Sequence, residues 1–128
     1  MSIEWAWSNE YHGIAKTKKF VNEYGMTKFK VSGCQFGLAS IVNKTLGLPL
    51  CKAWGIWSNN PSLSFALDGP HVRCQGGHPS TKVEGKNTAH SGVYPDDFAK
   101  YINTVMTTPI SDLQNMAASG EWPIVGRR

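Results

Sequence analysis

Two apolar, β-prone runs flank a glycine- and proline-bearing insert in the middle of this chain. The first is Val31-Ser32-Gly33-Cys34-Gln35-Phe36-Gly37-Leu38 and the second is Pro49-Leu50-Cys51-Lys52-Ala53-Trp54-Gly55-Ile56-Trp57-Ser58-Asn59. Such a pattern predicts a strand pair joined by a long loop. The insert, Ala39 to Leu48, carries Asn43, Lys44, Thr45 and Gly47 and is expected to project into solvent. The remaining elements are expected to pack around this pair.

Upstream, Ile3 to Trp7 reads as a short strand with Glu4 near its end, and Trp5 and Trp7 share one face. Ile14 to Tyr24 has the spacing of a helix with Phe20, Val21 and Tyr24 on its apolar side, followed by Gly25 as a cap. Thr27 to Ser32 alternates, with Phe29 and Val31 inward and Lys28 and Lys30 outward. Pro61 suits the first turn of a short helix through Leu67. Asp68 to Gly92 shows no period and reads as a long loop. Tyr94 to Val105 is the clearest helix: Pro95 and two aspartates open it, and Phe98, Tyr101, Ile102 and Val105 form its stripe. Ser111 to Ser119 reads as a weaker helix closed by Gly120. A chain of 128 residues allows one domain. The expected division is a single α/β domain over 1–120, with three to five strands and packed helices, and a tail over 121–128.

Only 17% of residues are charged and 41% are hydrophobic, which argues against disorder. No apolar run reaches the ~20 residues of a membrane helix, and the N-terminus has no signal-peptide pattern. Three cysteines without such a signal favour reduced thiols and a cytoplasmic setting. The net charge of +4 is compatible with a polyanion partner.

Several residues invite a chemical reading. Glu4, among tryptophans, is either a carboxylate facing a base or a proton-transfer site, or a solvated acid near the terminus. Lys16, Lys18, Lys19, Lys28 and Lys30, with Lys44, Lys52, Arg73, Lys82 and Lys86, are available to line a phosphate-tracking surface. A solvated helix face explains the first three equally well. Trp54 and Trp57 suit either base stacking or a core. The candidate metal set is His71, Cys74 and His78, with Cys34 or Cys51 as remote additions. A closed zinc site needs four ligands, and His71-Val72-Arg73-Cys74 supplies only one tight pair, so no bound zinc is expected. Cys34 lacks any neighbour in sequence that would favour a thiolate and reads as packing rather than as a nucleophile. There is no P-loop, no Gly-x-Gly-x-x-Gly, no Gly-x-Ser-x-Gly and no His-Glu-x-x-His.

Glu4-Trp5, then Gly33-Cys34-Gln35-Phe36-Gly37-Leu38, Lys52-Ala53-Trp54-Gly55-Ile56-Trp57-Ser58-Asn59, His71-Val72-Arg73-Cys74-Gln75-Gly76, Gly85-Lys86-Asn87-Thr88 and Tyr94-Pro95 occur in one order. Over roughly Ile3 to Thr104 this order resembles a domain of phage and retroelement-type polyproteins. That domain is in turn similar to the later, target-side half of cytosine-5 DNA methyltransferases. The resemblance implies half of a Rossmann-like methyltransferase fold. It implies Glu4 as the base-holding acid and the Cys34 to Asn59 pair as a DNA-side hairpin with Lys52 its nearest basic residue; with the basic residues above, Lys52, Arg73 and Lys30 are the expected nucleic-acid contacts. Ala6 and Ala53 stand where such domains have proline, and Leu67 where they often have a first cysteine. No Pro-Cys nucleophile loop and no glycine-rich cofactor strand are present. S-adenosylmethionine is therefore expected only with an upstream half, and the isolated chain is expected to be inactive. Weak, salt-sensitive nucleic-acid binding is expected, with a host-cytoplasmic location for a phage protein. The alternatives are a non-catalytic binding module held by a His/Cys metal site, or a small structural or host-modulating phage protein.

Overall fold

The computed structural model describes residues 1–124. It is an α/β arrangement of one three-stranded antiparallel sheet and five helices. Strand β1 is Ser2–Ala6, helix α1 Ala15–Glu23, β2 Thr27–Ser32 and β3 Ala53–Ser58. Helices α2 (Pro61–Leu67), α3 (Lys86–His90), α4 (Asp96–Thr107) and α5 (Ile110–Ala118) follow. The sheet order is β1-β3-β2. Glu4 lies opposite Ile56, which lies opposite Phe29; Ala6, Trp54 and Val31 form the next row. β1 and β2 therefore run in the same direction, α1 crosses between them, and β3 fills the gap.

Opposed residues share a face, so the register defines two surfaces. One carries Phe29, Val31, Trp54 and Ile56 and is buried under α2, α4 and α5. Helix α2 starts at the expected residue because Asn60 accepts from the Leu63 N–H and Pro61 needs no donor of its own. Helix α4 buries Phe98, Tyr101 and Val105, as its spacing predicts. The other face carries Trp5, Trp57, Lys28 and Lys30 and is crossed by the turn at Glu10–Gly13.

Four expectations change. The first concerns the central pair. β2 pairs with β3 only up to Ser32 opposite Ala53. Gly33–Phe36 is a 3-10 turn, not a strand, and the Leu38 N–H closes it on the Gly33 carbonyl at 3.1 Å. Beyond it only an isolated bridge, Ala39 with Pro49, continues the pairing. The turn sends Phe36 into the core and leaves Cys34 at the sheet's end. The second concerns α1, which buries Thr17 and Val21, while Phe20 and Tyr24 meet each other at a tilt outside the core, ring centres 4.7 Å apart.

The third is the long loop. It contains a 3-10 turn at Pro70–Val72 and helix α3. The buried Asn87 of α3 donates to Ser40 Oγ and accepts from the Ile41 N–H. Those bonds tie the loop to the insert, so the insert is only partly projecting: Ser40 is buried, while Ile41 and Leu46 are exposed. The fourth is at the C-terminus. Trp122 and Ile124 of the expected tail pack against the core, and the Trp122 ring stacks on His71 at 3.8 Å. The rest of that tail, 125–128, lies outside the described residues.

Candidate functional site

The last residues of β1 and β2, the approach to β3 and the loop around residue 78 enclose a cleft of about 390 Å³. Trp7, Lys30, Lys52, Cys34, Cys51, Cys74 and His78 line it. Two of the three basic residues expected to contact nucleic acid, Lys30 and Lys52, thus meet at one opening. Arg73 does not line it; its Nε is buried with no hydrogen-bond partner among the described residues, and its carbonyl accepts from the Gln35 side chain at 2.8 Å.

On the outer face of the sheet Lys28 places its ammonium 4.1 Å from the Trp7 ring centre, and Lys30 lies 5.3 Å from the same ring. Trp7 is 37% exposed. Among the described residues neither lysine has a carboxylate partner. Burial lowers the Lys28 pKa. The two ammonium groups therefore leave an uncompensated positive field over an accessible indole.

The platform beneath is set by His12. The Trp57 indole N–H donates to His12 Nδ1 at 2.9 Å, and the other ring nitrogen donates to the Ala6 carbonyl at 2.9 Å. Both ring nitrogens are thus used and the tautomer is fixed. Trp5 meets the same imidazole edge-on at 5.3 Å. Of the two tryptophans of β3, Trp54 is core and stacks on Phe98. Trp57 is the half-buried one on the outer face.

Glu4 sits half-buried on β1, on the side facing the helices. Burial holds its carboxyl above the ordinary value, partly offset by the Tyr94 hydroxyl, which donates to it, and by the Lys52 charge. Tyr94 in turn is fixed edge-on against Trp54 at 5.3 Å and Phe98 at 5.2 Å. Sequence reasoning named Glu4 and Lys52 but not Tyr94. The signal was present as Tyr94-Pro95, read there only as a helix start.

An acid whose folded pKa is raised is bound to its proton more tightly in the native state, so its charged form opposes folding. That cost is absent below the ordinary carboxylate range and complete above the raised value. Glu4→Gln should therefore raise the melting temperature at neutral pH, and the gain should shrink as pH falls through the raised value and vanish below the ordinary carboxylate range. Melting curves of both proteins across that range check this. A gap that is constant with pH, or a loss of stability at neutral pH, would contradict the environment described for Glu4.

The cysteine and histidine residues regroup. His71 is buried, and its Nε2 donates to the Ala66 carbonyl at 2.7 Å, which takes it away from Cys74 and His78. Cys34 takes its place: the ligand atoms of Cys34, Cys74 and His78 all lie within 4.8 Å of one another. Comparison with protein-family models, curated proteins and solved structures returned no match.

Proposed function

We propose that this chain is a nucleic-acid-associated domain of methyltransferase-like build, from a phage or mobile element. The observation that carries the reading is the pair of ammonium groups over the exposed Trp7, with Lys52 across the same cleft. A cation-flanked indole offers a stacking surface for a base and neutralisation for its phosphate. In this reading Glu4 remains the base-facing acid of the methyltransferase-like build, held by the Tyr94 hydroxyl on the helix side of the sheet and apart from the Trp7 surface.

The split β1-α1-β2 crossover supports the further step to half of a Rossmann-like sheet. Among the described residues no strand pairs with the outer edge of β1, so an upstream half of the sheet has a place to add. In this reading the cofactor, S-adenosylmethionine, and the nucleophile belong to that upstream half, and the chain acts in the cytoplasm. No helix of the described residues is long and apolar enough to cross a membrane.

The test is titration of the full chain with single-stranded and duplex DNA at several salt concentrations. Binding should be weak and largely independent of sequence. Neutralising Lys28, Lys30 and Lys52 to Gln should weaken binding to every sequence alike and reduce the log–log salt slope, for each phosphate that a lysine had neutralised, by about 0.9 on duplex and about 0.7 on single-stranded DNA. Neutralising Arg73 should matter less, since it does not line the cleft. Undetectable binding at low salt, or a triple variant with an unchanged slope, would overturn the proposal.

A further inference from the structure

We propose that Cys34, Cys74 and His78 bind one zinc ion, with a water molecule in the fourth position facing the cleft. The ligands come from separate places. Cys34 lies in the turn after β2, and Cys74 and His78 lie in the loop that follows Pro70–Val72. Their convergence is built by contacts that need no ion. The Cys74 N–H donates to Ser32 Oγ at 2.9 Å, and Gln35 donates to the neighbouring Arg73 carbonyl. These two bonds fix the loop against the end of β2, beside Cys34. Gly76 and Gly77, at φ +74° and +76°, then bend the chain back through a left-handed path that side chains other than glycine rarely adopt. That bend lays His78 on Cys74, with Sγ to Nε2 at 3.2 Å.

The donor atoms are presented in the form zinc takes. His78 Nδ1 lies 2.9 Å from the Pro79 carbonyl, which only accepts, so Nδ1 carries the proton. The Nε2 lone pair therefore faces the sulfur, the orientation a second-shell carbonyl imposes on metal-binding histidines. The Gly76 N–H points at Cys74 Sγ at 3.4 Å and supports a thiolate there. Metal–ligand distances for tetrahedral zinc put sulfur and nitrogen about 3.5 Å apart and two sulfurs about 3.8 Å apart. A group already within 4.8 Å needs a rearrangement of about 1 Å or less to reach that geometry. Two thiolates and a neutral imidazole also cancel the charge of a dication, so the loaded site brings no net charge to the half-buried Cys34. Zinc would displace the thiol proton of each cysteine ligand on binding.

Cys51 lines the same cleft but lies outside the group of converging donors. It is therefore assigned no bond to the metal. This ligand set replaces the one suggested by spacing alone, in which His71 stood where Cys34 stands. The zinc inference is independent of nucleic-acid binding and survives its failure.

The full chain, purified under reducing conditions, should carry about one zinc by elemental analysis or take up about one cobalt(II) per chain. The cobalt form should show thiolate-to-metal charge transfer and the visible bands of a tetrahedral site. Cys34→Ser, Cys74→Ser and His78→Asn should each abolish stoichiometric uptake, whereas Cys51→Ser should keep it. A wild-type chain that takes up no cobalt with thiolate charge transfer would overturn the proposal whether or not the variants fold. Loss of metal from Cys51→Ser with retention in Cys74→Ser would overturn the ligand set.

Discussion

Replacing Phe36 by alanine should lower the unfolding free energy by about 3–5 kcal/mol, as removal of a fully buried phenylalanine does. Phe36 has no exposed surface and meets Phe98 at 4.8 Å and Tyr101 at 5.3 Å. It is the residue through which the turn after β2 grips helix α4. A domain of this size is stable by about 5–15 kcal/mol, so the loss takes a large part of the total. Urea unfolding should show the midpoint moving sharply down, or no cooperative transition left. Gln35→Ala, one residue away, removes two part-buried bonds from one amide, to the Arg73 carbonyl at 2.8 Å and the His71 carbonyl at 3.5 Å, and should cost only about 1 kcal/mol. Similar losses at the two positions would mean that residues 33–36 do not form the turn described.

The same turn shows where sequence reasoning stopped. α1 and α4 were legible because each combines a period with an end signal, Gly25 after α1 and Pro95-Asp96-Asp97 before α4; β2 was legible from its alternation and α2 from Asn60-Pro61 ahead of it. Gly33 to Leu38 has neither period nor end signal. A short apolar run does not distinguish a strand from a tight turn, because both place some of its residues in the core. What decides is the position of β3, which pairs with Thr27–Ser32 and leaves no partner strand for Cys34 to Leu38. Helix α3 was hidden for another reason: its five residues are held by Asn87 against Ser40, a long-range polar contact with no local pattern.

At the candidate site, sequence reasoning named Lys30 and Lys52 as nucleic-acid contacts and Cys74 and His78 as members of a metal set, and the structure places all four around one opening. The exchange of His71 for Cys34 was not readable. Spacing places His71 three residues from Cys74, but the imidazole stacks on Trp122, a residue distant in the chain and expected to lie in a tail. The cation-flanked Trp7 was likewise only half legible. Alternation put Lys28 and Lys30 on one face, yet only the β1-β3-β2 order shows that Trp7 reaches that face across the width of β3.

Gly55→Val should be strongly destabilising, although glycine inside a strand is ordinarily a weakness that a β-branched residue repairs. A Cβ at position 55 would lie 2.8 Å from both Cε1 and Nε2 of His12 and 2.8 Å from Lys28 Cε. The lysine methylene belongs to a flexible chain and can swing away. The imidazole cannot, because Trp57 and the Ala6 carbonyl hold its two nitrogens. Overpacking of this kind costs about 1–3 kcal/mol. Displacing the ring also breaks two hydrogen bonds, each contributing about 0.5–1.5 kcal/mol net. The indole environment of Trp57 should change with it, which tryptophan fluorescence of the folded variant would record. The mechanism makes a sharper demand in a double-mutant cycle. In a His12→Ala background the obstacle is gone, so Gly55→Val should become neutral or stabilising. The coupling between the two positions should therefore favour the double variant by more than about 1 kcal/mol. If Gly55→Val costs as much without the imidazole as with it, His12 is not what keeps position 55 a glycine, and the packing described for the outer face of the sheet fails.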